Sequence, residues 1–222
     1  MQHAPRTPSV EDRLRMPDEE RLRADGDGAG GLSAFLTPAL VVVVLALQAI
    51  VWWRAVAWFP QLPAEIPTHF NGAGVPDRWS PKSVGAWFLL PGISLAMLVF
   101  LGAIGWGLGA LVRNAPGLCN MPKKELFLRL SPEGRMAAVA PTRTFLFATI
   151  ALFQGMFAWM IEGSARVATG ASTTLPIWPV LVVVGGVFIL LVPYFLATGR
   201  AIERAARREG VTDGGAKPAA KA

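Results

Sequence analysis

Four uncharged apolar stretches do most to limit what this 222-residue chain can fold into. They are Ala34–Trp53 (AFLTPALVVVVLALQAIVWW), Val84–Val112, Thr144–Ile161 and Ile177–Ala197, and none contains Asp, Glu, Lys or Arg. A helix needs about 20 residues to cross a bilayer core. In lipid, every backbone N–H and C=O must find its partner inside the protein, which makes helices of such runs. Charged residues make up 16% of the chain, well below the roughly 25% of ordinary soluble domains. The expected fold is an all-α membrane protein with four transmembrane helices, at about 34–53, 84–112, 144–161 and 177–197. The first run is longer than the apolar core of a signal peptide and follows a long polar stretch, so it reads as a retained span.

The basic residues orient the spans. Seventeen of the 21 Lys and Arg fall in residues 1–33, 113–143 and 198–222, while the other two loops hold only Arg78, Lys82 and Arg166. By the positive-inside rule both termini and the 113–143 loop are cytoplasmic, and the 60–83 and 162–176 loops lie outside a plasma membrane. The net charge of +6 is spread over separate segments, with no aromatic-interleaved basic stripe to follow a phosphate backbone, so nucleic acid is not an expected partner. The lone cysteine, Cys119, excludes an internal disulfide and a multi-cysteine metal site.

Residues 1–33 read as a mostly disordered tail with a short helix around Asp18–Ala24, and the end of 198–222 as a disordered tail. The stretch TGRAIERAARR extends the fourth span as a helix with a basic face for anionic headgroups. In the 113–143 loop, Ser131-Pro132-Glu133 is a helix start, with Ser131 as N-cap and Pro132 at the first helical position. This loop either lies on the lipid surface or meets a cytoplasmic regulator. Gln48 and Gln154 are expected to hydrogen-bond across helices. Gly102, Gly105, Gly107 and Gly109 let another helix approach the second span, within the bundle or in a homo-oligomer. Pro91 and Pro193 are kink positions. No ionisable group accompanies them at depth, which argues against an ion-coupled transporter. Arg54 either snorkels beside Trp52 and Trp53 or faces Glu65 or Asp77.

The loop IPTHFNGAGVPDRWSPKS gathers polar chemistry between the first two spans. Its prolines and the turn pair Asn71-Gly72 predict a hairpin around NGAGVPD, with strands near Thr68–Phe70 and Arg78–Trp79 and with Phe70 and Trp79 toward the membrane. His69, Asn71 and Asp77 are too few for a zinc site. No nucleophile–base pattern accompanies them, and no cofactor is expected. Two readings of these residues remain open. In one they hydrogen-bond the turns, with Trp79 and Lys82 anchoring the loop. In the other the loop is a binding face for an extracellular peptide, a headgroup or another envelope component.

The pattern Pro67-x-His69-Phe70-Asn71, Gly74, Asp77-x-Trp79 and Lys82, placed between two membrane helices, resembles the signature of domain-of-unknown-function family 1648. That domain also begins SdpI-type immunity proteins. The downstream NMPKKELFLRLSPEGR is similar to the cytoplasmic segment of stand-alone members. The resemblance implies a bacterial plasma-membrane protein that resists or senses a secreted toxic peptide. Two other classes compete with this one: an accessory subunit of a transporter or exporter, and a membrane-embedded enzyme acting on lipid or wall intermediates.

Overall fold

A computed structural model describes residues 18–212, with side chains from residue 35 onward. The chain forms α1 (Asp18–Trp58), a 3-10 turn (Phe59–Gln61), β1 (Glu65–Phe70) and β2 (Pro76–Pro81). It continues through α2 (Val84–Asn114), a second 3-10 turn (Pro116–Leu118), α3 (Lys124–Arg129), α4 (Pro132–Ala138), α5 (Ala140–Ala168) and α6 (Trp178–Glu209). Four helices are long and apolar enough to cross a membrane: α1, α2, α6, and α5 taken together with α4. Helix α5 is central and packs against the other three. Their remaining flanks expose large apolar side chains such as Phe100, Trp106, Phe188 and Ile189. Water would not tolerate so wide an apolar belt, whereas a bilayer requires one.

Cap chemistry sets several ends. Ser83 Oγ accepts from Ala86 N at the start of α2, and Ser131 Oγ accepts from Gly134 N with Pro132 at the head of α4, as its sequence predicts. Gly210, at φ +66, closes α6 in the left-handed conformation that glycine adopts without strain.

Two apolar cores lie at opposite ends of the bundle. At the hairpin end, Val51, Ala55, Leu62, Ile66, Trp87, Phe157, Ile161 and Ala165 pack together. Trp87 Nε1 also donates to Ala55 O at 2.8 Å, joining α2 to α1. At the basic end, Val112, Cys119, Leu126, Phe127, Leu130 and Val139 pack against Ile202, Ala205 and Ala206 of α6. The 113–143 segment therefore folds onto its own chain. The basic extension of α6 is helical as expected, and its apolar side is buried in this core. Polar contacts close the rim: Lys123 pairs with Glu203, and Glu209 accepts from Ser131 N and Ser131 Oγ at 2.7 and 2.6 Å.

Between the two cores lies a buried polar layer. Ser94 Oγ sits 2.6 Å from Gln154 Oε1 and 3.0 Å from Gln48 Oε1. One hydroxyl hydrogen cannot serve both acceptors. With the Gln48 amide turned over, its nitrogen donates to Ser94 Oγ while that hydroxyl donates to Gln154, so Ser94 links the two amides. The expected cross-helix roles of Gln48 and Gln154 are thus met through Ser94. Gly105 takes up its inside-the-bundle role, lying against Leu146 and Phe147 of α5.

Two boundary differences stand out. The short helix expected around Asp18–Ala24 begins at Asp18, where three acidic residues at positions 18 to 20 suit a first turn, but it runs on into the first span as one helix instead of ending in a disordered tail. Helix α5 runs on to Ala168 through residues read as a loop. Glu162 sits there one turn before Arg166, and the i,i+4 pair supports the extra turns. The readings for residues 1–17 and 213–222 lie outside the described residues.

Candidate functional site

Hairpin β1–β2 forms an antiparallel pair in which Pro67 faces Trp79 and His69 faces Arg78. The register shifts on both sides of His69, the mark of a bulge that re-aims a side chain. Asn71 builds the turn. Its Oδ1 accepts from Ala73 N at 2.9 Å and Val75 N at 3.1 Å, and its backbone N donates to Val75 O at 2.9 Å. Gly74 has φ +75 and is buried. Its carbonyl accepts from Leu175 N at 2.8 Å, in the segment leading into α6. The tip of the hairpin is thereby tied to the far side of the bundle.

Signature residues divide by what they touch. Pro67 is buried beside Ile66, which the hairpin contributes to the core at this end. Lys82 Nζ donates to Leu62 O at 2.9 Å and lies 5.0 Å from the centroid of the Phe59 ring, fixing the return strand to the end of α1. His69 and Asp77 bond each other across the strands, Nδ1 to Oδ1 at 2.6 Å, with side chains 57% and 43% exposed. They do not close the turn, which Asn71 manages alone. Trp79 is 44% exposed.

Under the hairpin lies an open cavity of about 320 Å³. One wall is the hairpin itself: Thr68, His69, Phe70, Asn71 and Gly74. The opposite wall is Met156, Trp159 and Met160 of α5 with Leu175–Ile177, Pro179 and Val180 at the start of α6. Trp159 Nε1 is buried without a hydrogen-bond partner, and its ring lies 5.3 Å from that of Trp178. Phe70 thus lines the cavity on the bundle side of the hairpin, whereas Trp79, expected to lie on the same side, is 44% exposed and does not line it. The cavity volume falls within the roughly 300–1,000 Å³ typical of small-ligand sites, and its apolar lining with a few polar groups is the usual composition of such sites.

Beside the hairpin stands a cluster that the sequence misassigned. Arg54 lies 5.6 Å from the centroids of both Trp53 and Trp58. Its partner is Glu162 of α5, which Arg54 Nε reaches at 3.0 Å, rather than Glu65 or Asp77. Trp58 Nε1 and Arg166 Nε each donate to the same carboxylate at 2.9 Å. One carboxylate thus joins α1 to α5 just below the hairpin. The error follows from the α5 boundary: once Glu162 is taken as loop, its fixed place beside Arg54 disappears.

Comparison with curated proteins and with solved structures returns no match. Residues 46–95 match the family model described as Domain of unknown function (DUF1648). The matched segment begins on α1, takes in the whole hairpin and ends on α2 just after Ser94. It therefore supplies one wall of the cavity and two of the three members of the buried polar layer. The chain is a multi-pass membrane protein that carries a DUF1648 domain at residues 46–95.

Proposed function

We propose that the hairpin and the cavity beneath it receive an extracellular apolar agent, a peptide or an envelope-active compound, and that the chain is a non-enzymatic sensing or resistance module of a plasma membrane. One observation carries this reading: the signature loop does not merely cover the bundle but forms a wall of an open, apolar cavity. The lining suits contact rather than bond-making. Met156, Met160, Ile177 and Val180 supply adaptable apolar surface, and methionine in particular fits ligands of varied shape. His69 and the indole N–H of Trp159 add directional polar groups. On this reading a cytoplasmic regulator would meet the chain at its basic end, where the 113–143 segment packs on α6.

The test is survival of the host with and without the gene against a panel of secreted antimicrobial peptides and envelope-active antibiotics. Complementation would use the wild type and the cavity-filling variants Val180→Phe and Ile177→Trp. The expected result is sensitivity to one agent, rescued by wild type and not by a cavity-filled variant present at normal level in the membrane. Rescue by the filled variants, or no sensitivity across the panel, would overturn the reading.

A further inference from the structure

We propose that Arg143, together with Arg113, binds the phosphate of an anionic phospholipid at the basic end of the bundle. Arg143 stands in the first turns of α5, and its Nε is buried without a hydrogen-bond partner. Its guanidinium lies in the space left by Gly109 of α2: a methyl group there would sit 2.8 Å from Arg143 Nη2 and 3.2 Å from Met136 Cε. Arg113 follows Gly109 by four residues in α2, so it projects from the same face one turn nearer the helix end. Among the described residues, neither arginine forms an ion pair. Nearby, Arg135 bonds the carbonyls of Leu130 and Val112, leaving its charge uncompensated too.

Three cations without a carboxylate surround one end of α2. A partly buried guanidinium keeps its charge at any accessible pH, and one without a carboxylate partner favours an anionic acceptor. Phosphate oxygens fit its planar fork, which can hold two of them at once. Arrangement along α2 selects a lipid over a soluble anion. Trp106, seven residues before Arg113 on α2 and so on the same face, is 87% exposed, and Val99, a further seven residues back, is 63% exposed. Together they give acyl chains an apolar track leading away from the cationic end. This inference is independent of the hairpin cavity, which lies at the opposite end of the helices.

Binding is measured on the purified full-length protein in detergent by native mass spectrometry, with phosphatidylglycerol, phosphatidylcholine and inorganic phosphate as separate probes. Phosphatidylglycerol is expected to bind and phosphatidylcholine to bind far less. Arg143→Gln is expected to weaken phosphatidylglycerol by about tenfold, the loss of one charge-assisted contact. Arg78→Gln removes the same charge at the hairpin end and is expected to leave binding unchanged. Arg143→Lys keeps the charge but not the fork, and is expected to bind less than wild type. It decides the question if the Gln variant does not fold. Equal binding of the two lipids, or of wild type and both Arg143 variants, would overturn the proposal. Binding of inorganic phosphate with no preference between the lipids would also overturn it, because the site would then be one for a soluble anion.

Discussion

Replacing Gly74 by alanine should undock the hairpin tip while leaving the bundle folded. Two costs combine at this position. Its φ of +75 lies in the left-handed region, which costs an L-residue about 1–2 kcal/mol. A methyl group there would sit 1.9 Å from Leu175 O. Leu175 must therefore withdraw, and the 2.8 Å bond from its N–H to Gly74 O breaks, a further loss of about 0.5–1.5 kcal/mol. A total of about 1.5–3.5 kcal/mol corresponds to roughly 10- to 300-fold more frequent opening of this contact. Amide hydrogen exchange at Leu175 in reconstituted vesicles reads that opening directly. Gly72→Ala is the control: nothing lies within 4 Å of its added methyl, and Gly72 is not among the positive-φ glycines. The expected result is a large rise in exchange at Leu175 for Gly74→Ala and none for Gly72→Ala, with Trp87 protection unchanged in both. Wild-type exchange at Leu175 in the Gly74 variant would refute the docking of the tip. An equal rise in both variants would show that the turn, not this contact, holds the hairpin.

Three further outcomes follow from the same geometry. Cys119 is buried, and that burial pushes its thiol above the ordinary range against a weaker opposing pull from Lys124. Maleimide labelling of the native protein should therefore be slow. Gly134→Ala, whose methyl would meet Glu209 Oε1 at 2.0 Å, should speed it about tenfold by loosening the basic-end core; an unchanged rate would mean that Glu209 does not hold that core shut. Since the thiol is raised in the fold, its share of stability is present below the ordinary thiol pKa and lost as pH climbs through the raised value, so labelling should accelerate further at alkaline pH. Ser94→Ala removes the link between Gln48 and Gln154 and should cost about 1–2 kcal/mol in unfolding from mixed micelles; a gain in stability would count against the polar layer as a structural element. Glu162→Gln should cost about 1–2 kcal/mol, and removing Arg54 as well should add little, because both act through one carboxylate.

How much of this was legible in the sequence depends on the range over which each feature acts. The spans were plain because every residue of an apolar run carries the same message. The hairpin was plain in outline because Asn71-Gly72 and the flanking prolines act locally, and Asn71 indeed closes the turn through its own side chain. The bulge at His69 was not readable, since register depends on which face is buried, and Ile66 is held by helices far away in the chain. Gln48 and Gln154 stood out as polar groups in apolar runs. Ser94 did not, because a serine in a membrane helix satisfies itself too easily to draw notice. The basic-end core escaped because it joins residues around Phe127 to Ile202 and Ala206, and neither segment is apolar enough alone to announce a core.

The cavity was the least legible feature, and the reason bears on the function. Met156, Trp159 and Met160 follow helical spacing and read as lipid-facing or core residues of α5. They become a wall only because Gly74 brings the hairpin over them by bonding Leu175. The signature residues then fall into two groups by physical duty. Pro67, Asn71, Gly74 and Lys82 make the hairpin and fix it in place. His69 lines the cavity, and His69, Asp77 and Trp79 are all well exposed and contribute little to packing. An exposed His–Asp contact adds at most about 1 kcal/mol to stability. A loop built only to cap a membrane bundle would gain as much from most other polar pairs, so on the function proposed above this pair is free to serve recognition beside the cavity.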